Sequence, residues 1–340
     1  MDTPAPTPAV FRRELLLHHH DDSRIESAFR AGRTVRLVPG WHVPTDQWLA
    51  LSPWERTELT AAAVSLYSPT AIFSGITALQ LQGFPGRIRA PLLHLDQPRP
   101  GHLGRRRDTF AVKAGAAQVP RAPLRFVHHR AEPWDGRPVR AGHFLAVPTE
   151  IAVVEAAIWE PLTVSLPAVD AVLRSILDPE GLRLALLQVA DAWPVRAKGR
   201  WARRVIELGD ALSESPAESR CRAVFLRLGL ERPQLQAEFA DAQGAMRIDF
   251  FWPSVGVGCE YDGRAKWTEL NVPTGRAQWD RIHQHNSRHD RLLAQPGVRR
   301  LVHLTAEDLA STDRVRELLV NAGVPRDPRW VLETPLRTAA

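Results

Sequence analysis

The sequence predicts an α/β protein in three parts, and three observations predict it. Residues 92–147 carry short apolar runs (LLHLDQ, TFAVKAG, LRFVHHR, GHFLAVP) separated by Pro, Gly and Arg clusters, the pattern of strands and turns. Apolar helical stretches follow, over 149–157, 165–176 and twice within 180–210. From Ser213 the order becomes helix, strand, hairpin, basic helix, strand, helix, which places helices on a sheet. At roughly 100–200 residues per domain, the 340-residue chain has room for two or three domains. The expected divisions are 1–50, a mixed α+β part over 51–205, and 206–325.

Composition narrows the classes. Hydrophobic residues are 44% and charged residues 24% of the chain, enough apolar material for real cores and close to the globular mean. The formal charge is +6, carried almost wholly by Arg, with Lys only at 113, 198 and 266. An Arg excess suits bidentate contacts to phosphate, and it equally suits a coding bias that favours Arg, Ala, Pro and Gly. Cys221 and Cys259 form no CxxC, so no zinc ribbon is encoded. The pair reads as two buried thiols of a reducing, cytoplasmic setting. No stretch reaches the ~18 apolar residues of a membrane span, and the N-terminus has no secretory pattern.

The N-terminal part reads as a short helix capped by Asp22 or Ser23 and closed by Gly32, then two strands, TVRLV and WHV, around Pro39-Gly40. A short helix followed by a basic hairpin is how a winged helix ends. Arg33 and Arg36 then lie on or near the wing, within reach of phosphate. An ordinary helix–hairpin cap on the next domain fits equally well. Ser52-Pro53-Trp54-Glu55 is a capping box opening a helix. AIFSGITALQLQGFPG reads as a second helix closed by Gly83 and Pro85.

The chemistry lies near the C-terminus. Ser215-Pro216-Ala217-Glu218 opens a helix that ends at Gly229. RIDFFW (247–252) and VGCEYDG (257–263) form a hairpin. A two-residue Ser254-Val255 loop sets Asp249 opposite Glu260, and opposed residues share a sheet face. Asp262 shares that face with Glu260. Three grouped carboxylates repel one another unless a cation neutralises them, and hard oxygen ligands favour Mg2+ or Mn2+. Lys266 is either a charge stabiliser at phosphate or a surface residue. In the basic stretch that follows, Arg276, Arg281, Arg288 and Arg291 are candidate phosphate contacts. His283, His285 and His289 are candidate acid/base groups or ligands, although a solvated basic face also explains them. VRRLVHLT reads as a strand, and Thr305-Ala306-Glu307-Asp308 opens the last helix.

With ESPAESRCR, RIDF, CEYDGRAKW, RHDRL and GVRRLVHLTAEDL, residues 213–310 resemble the Vsr-like (very-short-patch-repair-like) endonuclease domains of the PD-(D/E)XK superfamily. The version that the chain resembles is fused, in actinobacteria, to a winged-helix module similar to the AbiEi antitoxins of type IV toxin–antitoxin systems. GRTVRLVPGWHVP and SGITALQLQGFP match that module in kind. The resemblance implies a restriction-endonuclease-like αβ core and Mg2+- or Mn2+-dependent hydrolysis of DNA phosphodiesters. It maps the motif onto Glu218, Asp249 and Glu260. Asp262 stands where the usual motif has Lys, and Lys266 is a candidate migrated lysine. Glu218 also fits plain helix capping. The alternative reading is a non-catalytic, antitoxin-like regulator with a degenerate nuclease fold, partnered by DNA and a cognate toxin.

Overall fold

The computed structural model describes residues 13–18, 23–84, 92–96, 104–105, 113–114, 125–129, 134, 136–262 and 287–327. The protein is a mixed α/β chain with three sheets. It divides into two compact units after Gly209, a few residues beyond the expected boundary.

The first unit opens with β1 (Leu17–His18), α1 (Ser23–Arg30), β2 (Thr34–Val38) and β3 (Trp41–Pro44). Gly32 and Gly40 take left-handed backbone at the end of α1 and in the β2–β3 turn, the conformation glycine adopts without a Cβ penalty. Next come α2 (Thr45–Ala50) and α3 (Pro53–Tyr67). Ser52 and Glu55 form the complete capping box at α3: Ser52 N–H donates to Glu55 at 2.8 Å and Glu55 N–H to Ser52 Oγ at 3.4 Å.

The stretch expected as one helix from Ala71 is instead β4 (Ile72–Phe73) followed by α4 (Gly75–Leu81). Partners from two distant strands override the helical pattern. β4 pairs antiparallel with β5 (Leu92–Asp96) and parallel with a strand near residue 145. The remaining strands are β6 (Gly104–Arg105), β7 (Lys113–Ala114), β8 (Arg125–His129), β9 (Val139–Ala141) and β10 (Phe144–Ala146). They complete two sheets, β1-β3-β2-β7 and β6-β8-β5-β4-β10-β9.

Because β7 adds to β2, the sheet of the N-terminal segment is finished by residues from the expected middle domain. The first unit therefore runs without a break near residue 50. It ends in α5 (Thr149–Trp159), α6 (Leu162–Arg174), α7 (Pro179–Asp191) and α8 (Arg196–Glu207). α6 starts before the expected Ser165 and runs through Pro167. α5 buries Ile151–Ala157, Glu155 included, as a helix packed against α4, α6, α7 and α8 does.

The second unit is a four-stranded sheet, β11-β12-β13-β14, with helices on both faces. Its elements are α9 (Pro216–Arg227), β11 (Gln234–Asp241), β12 (Gly244–Trp252), β13 (Val257–Asp262), α10 (helical over 287–293), β14 (Arg300–Thr305) and α11 (Thr312–Ala322). α11 starts later than expected. Thr305 and Asp308 do bond each other's backbone N–H, but they close a short 3-10 turn, and Ser311 is the N-cap of the helix.

β11, β12 and β13 run as antiparallel neighbours, and β14 lies parallel to β13. One face carries Phe250, Trp252, Val257, Cys259 and Leu304 under α9 and α11. The other carries Met246, Ile248 and Phe251 under Leu292 of α10. Gly258 lies on this second face, where an added Cβ would come 2.7 Å from Leu301 and 3.0 Å from Ile248. Glu260, two residues along the strand, shares that face and looks towards α10.

Among the described residues no helix is long and apolar enough to cross a membrane.

Candidate functional site

The site grows out of an irregularity in the second unit's sheet. β11 and β12 pair Leu235 with Phe250 and Ala237 with Ile248, leaving Gln236 and Asp249 between them. Residues two apart on a regular strand share a face. Here Leu235 and Phe250 belong to one core cluster, while Ala237 and Ile248 belong to the other. Both strands thus change faces at the Gln236–Asp249 step. Gln236 has φ +50°, the one positive φ of a non-glycine residue among the described residues, which costs about 1–2 kcal/mol. Non-glycine backbone in this region concentrates at functional sites.

On the other side of β12, the pairs with β13 are Trp252–Val257, Phe251–Gly258 and Phe250–Cys259. One step further this register would pair Asp249 with Glu260, but the turn spans four residues, 253–256, rather than the expected two-residue Ser254-Val255 loop, and that pair is not formed. The paired ladder stops there, and Asp249 Oδ2 accepts the N–H of Tyr261 at 2.9 Å. The carboxylate stands at the point where the two strands part.

Glu260 is buried, and its main partner among the described residues is Arg288, with His303 Nδ1 4.0 Å from its Oε2. Arg288, on α10, donates Nη1 to Glu260 Oε2 at 2.8 Å and Nη2 to Oε1 at 2.6 Å. Nη2 also donates to the carbonyl of Arg247 at 2.5 Å. The charge of Arg288 acts on Asp249 and Asp262 as well as on Glu260.

Asp262 turns away to β14. The parallel register pairs Glu260 with His303 and Asp262 with Thr305, which brings His303 Nδ1 to 3.0 Å from Asp262 Oδ2. His303 Nε2 lies 3.2 Å from His289 Nδ1, with the two rings stacked. The hydrogen bond to Asp262 is the largest cause raising the His303 pKa above its ordinary value. A protonated His303 then donates Nδ1–H to Asp262 and Nε2–H to His289.

The negative field reaches the cysteines. Both thiols are free and buried. Burial first, then the charges of Asp249 and Glu218, push Cys221 well above its usual range. Burial, Cys221, Asp249, Glu260 and Asp262 do the same to Cys259. Both stay as inert thiols.

Glu218 is a cap. It accepts from Glu214 N–H at 2.9 Å, from Ser215 Oγ at 2.7 Å and from Gln236 Nε2 at 3.0 Å. The last bond ties the start of α9 to the strained step beside Asp249. Arg291 forms a two-pronged ion pair with Asp241, at 2.7 and 2.6 Å, and a bond to Gly244 O at 3.1 Å. It staples the β11–β12 turn, and its guanidinium pulls the Asp241 carboxyl down to about 2. In the first unit Arg33 is exposed at the foot of β2, and Arg36 lies over the Phe29 ring at 4.8 Å. Lys266, Arg276, Arg281, His283 and His285 lie outside the described residues.

Asp249, Glu260 and Asp262 each take a different partner: the Tyr261 N–H, Arg288 and His303. Among the described residues no group of three or more His, Cys, Asp or Glu side chains is arranged to hold a metal ion. β14 supplies His303 to Asp262, while Asp249 and Glu260 stand at the end of the β12–β13 ladder. The donors of that pair are hard oxygens, and the Arg288 guanidinium stands in for a cation on Glu260. The chemistry of the pair therefore fits Mg2+ or Mn2+.

The sequence reading missed His303 and Gln236. His303 sits between Val302 and Leu304 in an apolar run; a polar residue on the alternate face of a strand beside an acidic strand is a usable signal. Gln236 carried none. Compared with protein-family models, with curated proteins and with solved structures, the chain matches none of them.

Proposed function

We propose that the chain is a DNA-binding protein whose second unit hydrolyses phosphodiesters with Mg2+ or Mn2+, in the manner of a Vsr-like PD-(D/E)XK endonuclease domain with a restriction-endonuclease-like core. The observation that carries this reading is the end of the β12–β13 ladder, where Asp249 accepts the Tyr261 N–H and the buried Glu260 carries a bidentate guanidinium. Asp249 and Glu260 are the residues that hold the metal. A divalent ion there would neutralise phosphate charge and make water a competent nucleophile near neutral pH. Arg288 can grip a phosphate with the same two-pronged geometry it uses on Glu260. Asp262 fixes the His303 ring, and the His303–His289 contact gives a proton a path away from the site.

Nicking of plasmid DNA tests the reading. The wild type is expected to nick with Mn2+ or Mg2+, and Asp249→Ala and Glu260→Ala to lose at least ~100-fold. Equal activity in all three proteins rules it out.

A second reading also has an observation in its favour. Glu260 is already neutralised by Arg288, and Asp262 is engaged by His303, so the unit carries its acids without a metal. That suits a non-catalytic, AbiEi-antitoxin-like regulator, with a winged-helix-like N-terminal segment on DNA through Arg33 and Arg36 and a cognate toxin as partner. Salt-dependent promoter binding that survives Asp249→Ala, with no cleavage under any metal, favours this reading.

A further inference from the structure

We propose that Arg288 is an exchangeable internal counter-cation: it occupies Glu260 in the free protein, gives Glu260 up to the metal, and transfers its guanidinium to a DNA phosphate, so that metal and DNA bind cooperatively. The proposal rests on the metal-site reading above and adds a regulation of that site.

Glu260 has an 8% exposed side chain on the face that α10 covers, whereas the Arg288 side chain is 40% exposed. One guanidinium covers both Glu260 oxygens, at 2.6 and 2.8 Å. A metal ion coordinated by the same carboxylate sits about 2.1 Å from an oxygen. The two cations would then lie a few ångströms apart, where repulsion between like charges is large. Metal and Arg288 therefore compete for Glu260.

A displaced Arg288 needs an acceptor, and its two parallel N–H groups match a phosphate as well as a carboxylate. Among the described residues it also bonds the Arg247 carbonyl at 2.5 Å. That anchor holds the guanidinium at the mouth of the site after the swap. A ligand that draws Arg288 outward raises metal affinity, and by linkage metal raises affinity for that ligand by the same factor.

The test is Mn2+ binding to the full chain, read from the free-ion paramagnetic resonance signal, with no cleavage measured. Wild type, Arg288→Gln, Glu260→Gln and the Arg288→Gln/Glu260→Gln double variant are compared. Arg288→Gln is expected to bind Mn2+ about tenfold tighter than wild type, and both proteins carrying Glu260→Gln to bind far more weakly. An uncleavable phosphorothioate duplex is expected to tighten Mn2+ binding to wild type and to leave Arg288→Gln unchanged. Should Arg288→Gln fold poorly alone, recovery of its melting temperature by Mn2+, larger than the shift in wild type, reads the same exchange. Equal Mn2+ affinity in wild type and Arg288→Gln overturns the exchange and leaves the metal site standing. Mn2+ binding in none of the four proteins overturns the metal site and the exchange with it.

Discussion

Two buried carboxylates, one in each unit, are handled in opposite ways. Glu155 on α5 is fully buried, accepts one N–H from Gly75 at 2.8 Å, and leaves Oε1 without a hydrogen-bond partner. Desolvation, opposed by the Gly75 bond and aided by the charge of Asp96, pushes it up to about 8. Glu260 on β13 is almost as buried, yet it meets a bidentate guanidinium. The first unit favours the neutral form of its acid by burial, and the second sets a guanidinium on both oxygens of its acid. Burying an ion pair seldom adds net stability over apolar packing. The Arg288–Glu260 pair of the second unit is retained although its guanidinium is 40% exposed.

The largest test of that contrast is pH. The ordinary value for Glu155 is 4.5 against about 8 in the folded unit. Between these values the unfolded chain has released its proton and the folded chain has kept it, so stability falls as pH rises through the window and levels off above it. The rise corresponds to on the order of 5 kcal/mol. Glu155→Gln is expected to flatten this part of the pH dependence of unfolding in the first unit. A wild-type profile no steeper than the variant's would remove the contrast.

In the second unit, Arg288→Ala strands the Glu260 charge and is expected to cost about 2 kcal/mol in denaturant unfolding, discounted for the exposed guanidinium. Adding Glu260→Gln should recover most of that cost. A double variant no better than the single one would show that the pair matters through packing alone. The smallest effect concerns Glu218, which is held by neutral donors. Gln236→Ala keeps the left-handed backbone but loses the bond to Glu218, and should cost about 1 kcal/mol. Gln236→Gly relieves the backbone and should cost less. The reverse order would place the strain elsewhere.

Much of the second unit was legible in the sequence because its signals are local. Ser215 with Glu218 announces α9, Gly229 closes it, and the spacing of RIDFFW and VGCEYDG fixes the hairpin register. What was illegible depends on partners distant in sequence. The face change at Gln236 needs two strands to bend together. Asp262 finds His303 only once β14 lies parallel to β13, and Arg288 reaches Glu260 across 28 residues of chain. In the first unit, Ile72–Phe73 becomes a strand because β5 and β10 flank it, and Lys113–Ala114 completes the sheet of a segment that ends far before it. Helical periodicity and turn dipeptides carry none of that information.

The proposed sharing of a divalent cation by Asp249 and Glu260 can be tested at the bound metal itself. Replacing that cation with Fe2+ and adding ascorbate and peroxide generates hydroxyl radicals at the bound metal, and mapping the cut backbone locates it. Cuts are expected around Asp249 and Glu260, suppressed by excess Mg2+ and absent in Glu260→Gln. Cuts elsewhere in the chain, or cuts at these strands that persist in Glu260→Gln, would contradict the account.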